Sequence, residues 1–154
     1  MSRVRTLAAL GPRRWPFVAR VAATGAVAEL AVRVVPLPLL ARVAGVPLAT
    51  DAPHDGDARR LLAPRDLARL DLAMRVVRAR PLRATCLRRS LVAGHLLRRY
   101  HPRLRLGVAK DSGAVAAHAW IEVDGMSLDP ESAAYRALPP TTAGRSPRRL
   151  LATA

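Results

Sequence analysis

The chain contains no glutamine, one cysteine (Cys86), one lysine (Lys110) and five aromatic residues among 154. Each scarcity excludes something. Without glutamine there is no side-chain amide of that kind to donate to a reaction oxyanion. A lone cysteine forbids an internal disulfide and makes a reducing cytoplasm the simplest compartment. No Cys-x-x-Cys or His-x-x-x-His pair is present, so zinc is poorly served, and neither a metal nor a cofactor is expected. Long apolar runs are also missing. The N-terminal stretch "VAATGAVA" (21–28) is closed by Arg20 and Glu29 after eight residues, short of the about 20 a spanning helix needs and less clean than a secretory core. Stable membrane insertion is therefore not expected.

What the chain does hold is apolar bulk and positive charge. Hydrophobic residues make up 51%, mostly Ala, Leu and Val, enough for one domain with one core. The formal charge of +15 makes anionic partners plausible. The arginines, however, are scattered through helical segments rather than blocked together, the pattern of a solvated face. With few aromatics and no recognisable motif, nucleic-acid binding is not expected.

Periodicity divides the chain. Residues 1–15 read as a flexible basic arm. Residues 16–80 read as a helical N-terminal region. Within it, Val18, Val21, Ala22, Ala26 and Leu30 suit an amphipathic helix to about Val35, although Gly25 weakens that pattern. "PLPLLARVAG" (36–45) is a break and a short helix ended by Gly45, and 50–58 is a loop. Leu67, Leu70, Met74 and Val77 predict a second long helix from Pro64 to about Arg80, stopped by Pro81. "TCLRRSLVAGHLLRRY" predicts a third, with Thr85 as N-cap and Pro102 beyond its end. Then the period changes to two. "RLRLGVA" (103–109) and "VAAHAWIEV" (115–123) read as strands, and Asp124-Gly125 signals a tight hairpin into "MSLD". From Leu138 onward a weakly ordered tail is expected, which leaves 81–137 as the core. Helices followed by a small antiparallel sheet make an α+β fold.

Two residues carry chemistry. Cys86 falls in the first turn of its helix, where the macrodipole and free N–H groups stabilise negative charge on sulfur and could serve an oxyanion. Arg83, Arg88 and Arg89 would add to this if they lie close. Alone, Cys86 reads more readily as a small buried hydrophobe. His118 alters the balance. If Asp124 and Gly125 form the turn, Val123 faces Met126 and Trp120 faces Asp129. His118, Trp120 and Asp129 then share one side of the sheet, with Asp129 a diagonal neighbour of the imidazole. A thiol, an imidazole and an orienting carboxylate make a nucleophilic site for acyl transfer or peptide hydrolysis. Glu131 is the rival carboxylate, opposite His118 if pairing continued past Pro130, but proline disturbs a ladder and favours Asp129. Asp124 reads as turn chemistry, and Glu122 as a solvated or supporting residue. His95, nine positions after Cys86, lies on the opposite helix face. His101 sits at a helix end and His54 in a loop; both read as solvated or structural.

At these residues, "TCLRRSLVAGHLLRR", "LRLGVAK" and "AAHAWIEVDG" together resemble the leader peptidases of lasso-peptide biosynthesis, which are transglutaminase-like cysteine proteases. The resemblance covers about residues 80 to 130, with a looser fit in the preceding helical half. The pairing of a Cys-Leu-x-x-Ser helix with a His-Ala-Trp strand is the more specific part. It implies a papain/transglutaminase-like core, with the cysteine at a helix N-terminus and the histidine and aspartate on a small antiparallel sheet. It also implies removal of the leader from a ribosomally made precursor peptide by a Cys86, His118 and Asp129 triad. A separate leader-recognition protein and a macrolactam cyclase are the implied partners. No winged-helix recognition unit is evident, as expected of the stand-alone type. Three readings compete: an acyltransferase using the same thioester, a non-catalytic basic partner-binding module, and a nucleic-acid binder.

Overall fold

In a computed structural model of the chain, residues 14–79, 84–111 and 114–139 are described. Residues 1–13 of the expected basic arm, residues 80–83 with Pro81 and Arg83, Ser112-Gly113 and the tail from 140 lie outside them; the second long helix ends at Arg78, two residues before the expected Arg80. Among the described residues four α-helices precede the sheet: α1 (Trp15–Val34), α2 (Leu37–Val43), α3 (Pro64–Arg78) and α4 (Cys86–Leu96). The sheet follows, with β1 (Arg103–Asp111), β2 (Ala114–Val123), β3 (Met126–Ser127) and β4 (Arg136–Ala137). The strand order is β3-β2-β1-β4, and each neighbouring pair is antiparallel. The expected α+β order is present. Among the described residues, no helix is long and apolar enough to cross a membrane.

The faces that hold the helices together follow from spacing. On α3, Leu70, Ala73, Val76 and Val77 are buried, with Leu67 and Met74 half-buried beside them, which is the predicted stripe. On α1 the buried stripe is Val18, Val21, Gly25 and Ala28. The expected Ala26 and Leu30 instead face outward, Leu30 being 67% exposed. The helix is apolar on most sides, so hydrophobicity alone does not set its rotation. A polar contact does: Glu29 pairs with Arg88 of α4 as well as with Arg33 on its own helix. Gly25 thus belongs to the contact face and does not interrupt the helix.

Helix α4 is the hub. Ser90, Leu91, Val92, Ala93 and Gly94 are all buried, because α1, α3 and the sheet surround it. A Cβ on Gly94 would lie 2.0 Å from Val46 Cγ1 and 3.1 Å from Ile121 Cδ1. No other residue type fits where helix, loop and sheet converge. At the far end, Tyr100 Oη accepts from the Ala63 N–H (3.0 Å) and donates to the buried Asp66 (2.8 Å), which also pairs with Arg99. The Ala63 N–H favours the phenolate and lowers the Tyr100 pKa.

The β1–β2 register, Leu104 opposite Ile121 and Gly107 opposite His118, sorts the sheet into two faces. Leu104, Leu106, Ala119, Ile121 and Val123 enter or border the main core with Leu91, Ala93 and Val46. Arg105, Trp120, Glu122 and His118 occupy the other face and are buried too. Arg105 holds Glu122 by two bonds, Nε to Oε1 at 3.0 Å and Nη2 to Oε2 at 2.8 Å, and Trp120 Nε1 donates to Oε1 at 3.1 Å. Glu122, expected to be solvated or merely supporting, is 2% exposed and fully engaged. Its carboxylate is tolerated inside because both oxygens find donors and a guanidinium balances the charge. The hairpin turn is as expected: Asp124 and Gly125 both take positive φ (51° and 78°), the conformation that suits a two-residue turn between twisted strands. β4 was not expected. Its two residues pair with Gly107 and Val108 of β1, too short a segment to show a period of two, and Leu138 N adds a bond to Leu106 O.

Gly94→Ala tests the crowding at the hub. Helix propensity favours alanine by about 1 kcal/mol, but overpacking against the fully buried Val46 costs about 1–3 kcal/mol. The expected outcome is a net loss of stability in urea unfolding; an alanine variant more stable than the parent would contradict the close approach.

Candidate active site

Cys86 opens α4, preceded by Thr85 in an extended N-cap conformation. The position is the expected one, but the Thr85 hydroxyl makes no capping bond. Arg88 Nε donates to it instead (3.3 Å), so the side chain does not occupy the N–H groups of the first turn. The thiol is half-buried. It lines a cavity of about 320 Å³ together with Arg89, Ser90, Trp120, Asp129 and Glu131, among others. Of the three arginines expected near sulfur, Arg89 shares this cavity, Arg88 is turned toward Glu29, and Arg83 lies outside the described residues.

His118 is buried on β2. Its Nε2 lies 3.0 Å from Asp129 Oδ2, the pairing expected from the hairpin register, but reached by a different route. The ladder ends at Ser127 and one further bond, Leu128 N to Ile121 O (2.9 Å). Asp129 does not sit in a strand opposite Trp120. It caps a single-turn 3-10 helix, Pro130–Ala134, its Oδ1 accepting from Glu131 N at 3.0 Å. Pro130 at the first helical position needs no N–H there, which is why the chain turns at this point. The Asp129 backbone N–H is held by Ser127 Oγ (3.0 Å), which in turn is bonded by Ser132 (2.8 Å). The carboxylate is therefore fixed at one oxygen and offers the other to the imidazole.

The ring is also held on its faces. Tyr135 stacks on one at 4.7 Å between centroids and 26° between planes. Trp120 lies at 6.0 Å and 24°. Glu131 comes close, its carboxylate joining His118 and Asp129 in a group whose ligand atoms lie within 4.8 Å of one another. These are the residues that could hold a cation, but the hydrogen bond to the imidazole is made by Asp129.

A second bond sets helix against strand. Ser90 Oγ, one turn beyond Cys86 and buried, donates to Ala119 O at 2.8 Å. Ala119 is the neighbour of His118, so the thiol-bearing helix and the imidazole-bearing strand are tied within one turn and one residue of the two groups. Among the described residues no hydrogen bond joins Cys86 Sγ to His118. Catalytic pairs are often loose in the free state and tighten on substrate. Ser90 and Tyr135 were given no role by the sequence reading, and Glu122 only the supporting alternative. Ser90 had a signal, its spacing of four from Cys86 in "CLRRS"; Tyr135 had none, because its stack forms across a turn.

The remaining candidates stand apart. His54 is exposed, its Nδ1 3.1 Å from the Asp124 carbonyl on the hairpin turn. His95 is exposed and lines a separate opening with Phe17 and Arg20. His101 is exposed with φ 50°. Asp124 is turn chemistry, as expected.

The family model of the transglutaminase-like superfamily matches residues 26–141, a span from α1 through β4 that contains all three candidate residues. Comparison with curated proteins and with solved structures gave no match.

The Arg105–Glu122 pair supports Trp120 beside His118 and gives a second test. Glu122→Ala leaves a buried guanidinium unpaired and is expected to cost about 3–5 kcal/mol in denaturant unfolding. Replacing both residues with apolar side chains of similar volume is expected to recover most of that loss. Equal losses in the single and double variants would show that the pair is not what Glu122 contributes.

Proposed function

The chain belongs to the transglutaminase-like superfamily, and from that premise we propose that it is a cysteine peptidase that removes the leader from a ribosomally made lasso precursor peptide. The observation that carries the reading is the His118–Asp129 hydrogen bond, whose carboxylate lines the same cavity as the helix-terminal Cys86. The general class, thioester chemistry by a cysteine, comes from the family. The leader-peptidase assignment comes from the "TCLRRSLVAGHLLRR" and "AAHAWIEVDG" strings.

In this reading Asp129 holds the Nε2–H of His118, which leaves Nδ1 to take the thiol proton. The Cys86 sulfur then attacks the scissile carbonyl carbon, and the oxyanion is met by first-turn N–H groups of α4 that Thr85 leaves uncapped. The C–N bond breaks as His118 returns its proton to the leaving core-peptide amine. Water, deprotonated by His118, attacks the thioester carbonyl; the leader departs as a carboxylic acid and the thiol is restored. The freed amine suits a separate macrolactam cyclase, and a separate leader-recognition protein would deliver the substrate in a reducing cytoplasm. An amine in place of water would make the same thioester an acyltransferase intermediate.

Mass spectrometry of the precursor, incubated with the protein and its recognition partner, tests this. Cys86→Ala is expected to abolish cleavage without loss of fold. His118→Ala is expected to slow it by roughly 10²–10⁴-fold, and Asp129→Asn by less, since its part is orientation. Wild-type cleavage by Cys86→Ala would end the proposal. Greater damage from Glu131→Gln than from Asp129→Asn would transfer the orienting part to Glu131. An added amine appearing in the product would favour the acyltransferase.

A further inference from the structure

We infer that Tyr135 is a positioning residue for His118, fixing the plane of the imidazole and so the direction from which Nδ1 can meet the thiol; the inference rests on the Cys86–His118 reading above. A hydrogen bond at Nε2 alone leaves the ring free to swing about the bond axis, because the terminal torsion of histidine is broad. Asp129 supplies that bond and nothing more. The swing is blocked by the ring of Tyr135, 4.7 Å away and 26° from parallel.

The two contacts share one origin. Asp129 is the N-cap and Tyr135 the C-cap of the Pro130–Ala134 turn. One short 3-10 helix thus places a carboxylate on the edge of the imidazole and an aromatic ring on its face. The turn is anchored at both ends, by the Ser127 hydroxyl bonded to Asp129 N and by β4, which begins immediately after Tyr135. β4 pairs Ala137 with Gly107, and Gly107 on its other side pairs with His118. A Cβ at Gly107 would lie 3.0 Å from the Arg136 carbonyl and 2.6 Å from Trp120 Cη2. The bare glycine lets β4, and with it Tyr135, approach the strand residue opposite His118. Trp120, bonded to the buried Glu122, limits the ring from the second aromatic neighbour. Among the described residues the Tyr135 side chain makes no hydrogen bond, so its ring and not its hydroxyl carries the role.

Two readouts test this on the full chain: kcat and KM for precursor cleavage with the recognition partner, and the rate of Cys86 alkylation by iodoacetamide, which needs no peptide substrate. Tyr135→Phe keeps the stack and is expected to retain both. Tyr135→Leu removes it and is expected to lower kcat about three- to tenfold, the range of an aromatic pair contact, with KM unchanged and alkylation slowed to match. Tyr135→Met serves in the same way if the leucine variant does not fold. Folded Leu or Met variants with parental kcat and alkylation rate would overturn the inference, as would Tyr135→Phe being as damaging as Tyr135→Leu. If no precursor is cleaved but alkylation depends on His118 and falls in Tyr135→Leu, the positioning role holds and the leader-peptidase reading fails. If alkylation is indifferent to His118→Ala, the thiol–imidazole pairing fails and this inference falls with it.

Discussion

Everything at the site depends on how closely α4 is seated on β2. Gly94 permits the approach, since a single methyl there would collide with Val46. The Ser90–Ala119 bond fixes the sliding coordinate. A serine inside a helix ordinarily bonds back to the preceding turn; here its hydroxyl is turned onto the strand. The thiol at residue 86 and the strand that bears His118 are far apart in sequence, and two small residues on one helix set how that helix end meets the strand. The local features at each end, the helix start and the hairpin register, would be chemically idle without that seating.

The opposite side of the sheet solves a different problem. A four-stranded sheet covered by helices on one side would be expected to show water its other face. Instead Arg105, Trp120, Glu122 and His118 are enclosed there. The bidentate ion pair consumes the charge, and the indole N–H takes a further lone pair. The same economy of acids recurs elsewhere. Glu29, Asp51, Asp66, Asp71 and Glu122 each engage an arginine. Against 26 basic residues the chain has 11 acidic ones, and the surplus is arginine. For exposed pairs such as Arg103–Asp51 the energy is small, about 0–1 kcal/mol; the enclosed pair is the one on which packing depends.

Much of this was legible from residue order. The Asp124-Gly125 turn, the Leu70–Val77 stripe, the start of α4 at Cys86 and the nearness of His118 to Asp129 follow from local periodicity and turn chemistry, which are short-range properties. What was misread follows from long-range contacts. Leu30 faces outward because Glu29 is drawn to Arg88 on another helix. Glu122 is buried because Arg105, seventeen residues away, meets it across a strand pair. Asp129 was placed correctly for the wrong reason: Pro130 ends the ladder and begins a 3-10 turn, so the carboxylate arrives as a cap. Tyr135 and β4 gave no pattern at all, being a single ring and two residues. Periodicity reads faces of long elements; it does not read clips.

The clip has a consequence for the order in which the molecule comes into being. A ribosome releases α4 with its thiol first, then the hairpin with its imidazole, and only after them the 130–137 segment. Until that segment emerges, β1 lacks its β4 partner at Gly107 and Val108, and the imidazole has no tyrosine against it. The closing two-residue strand is therefore what completes the packing around the ring, since Tyr135 precedes it directly.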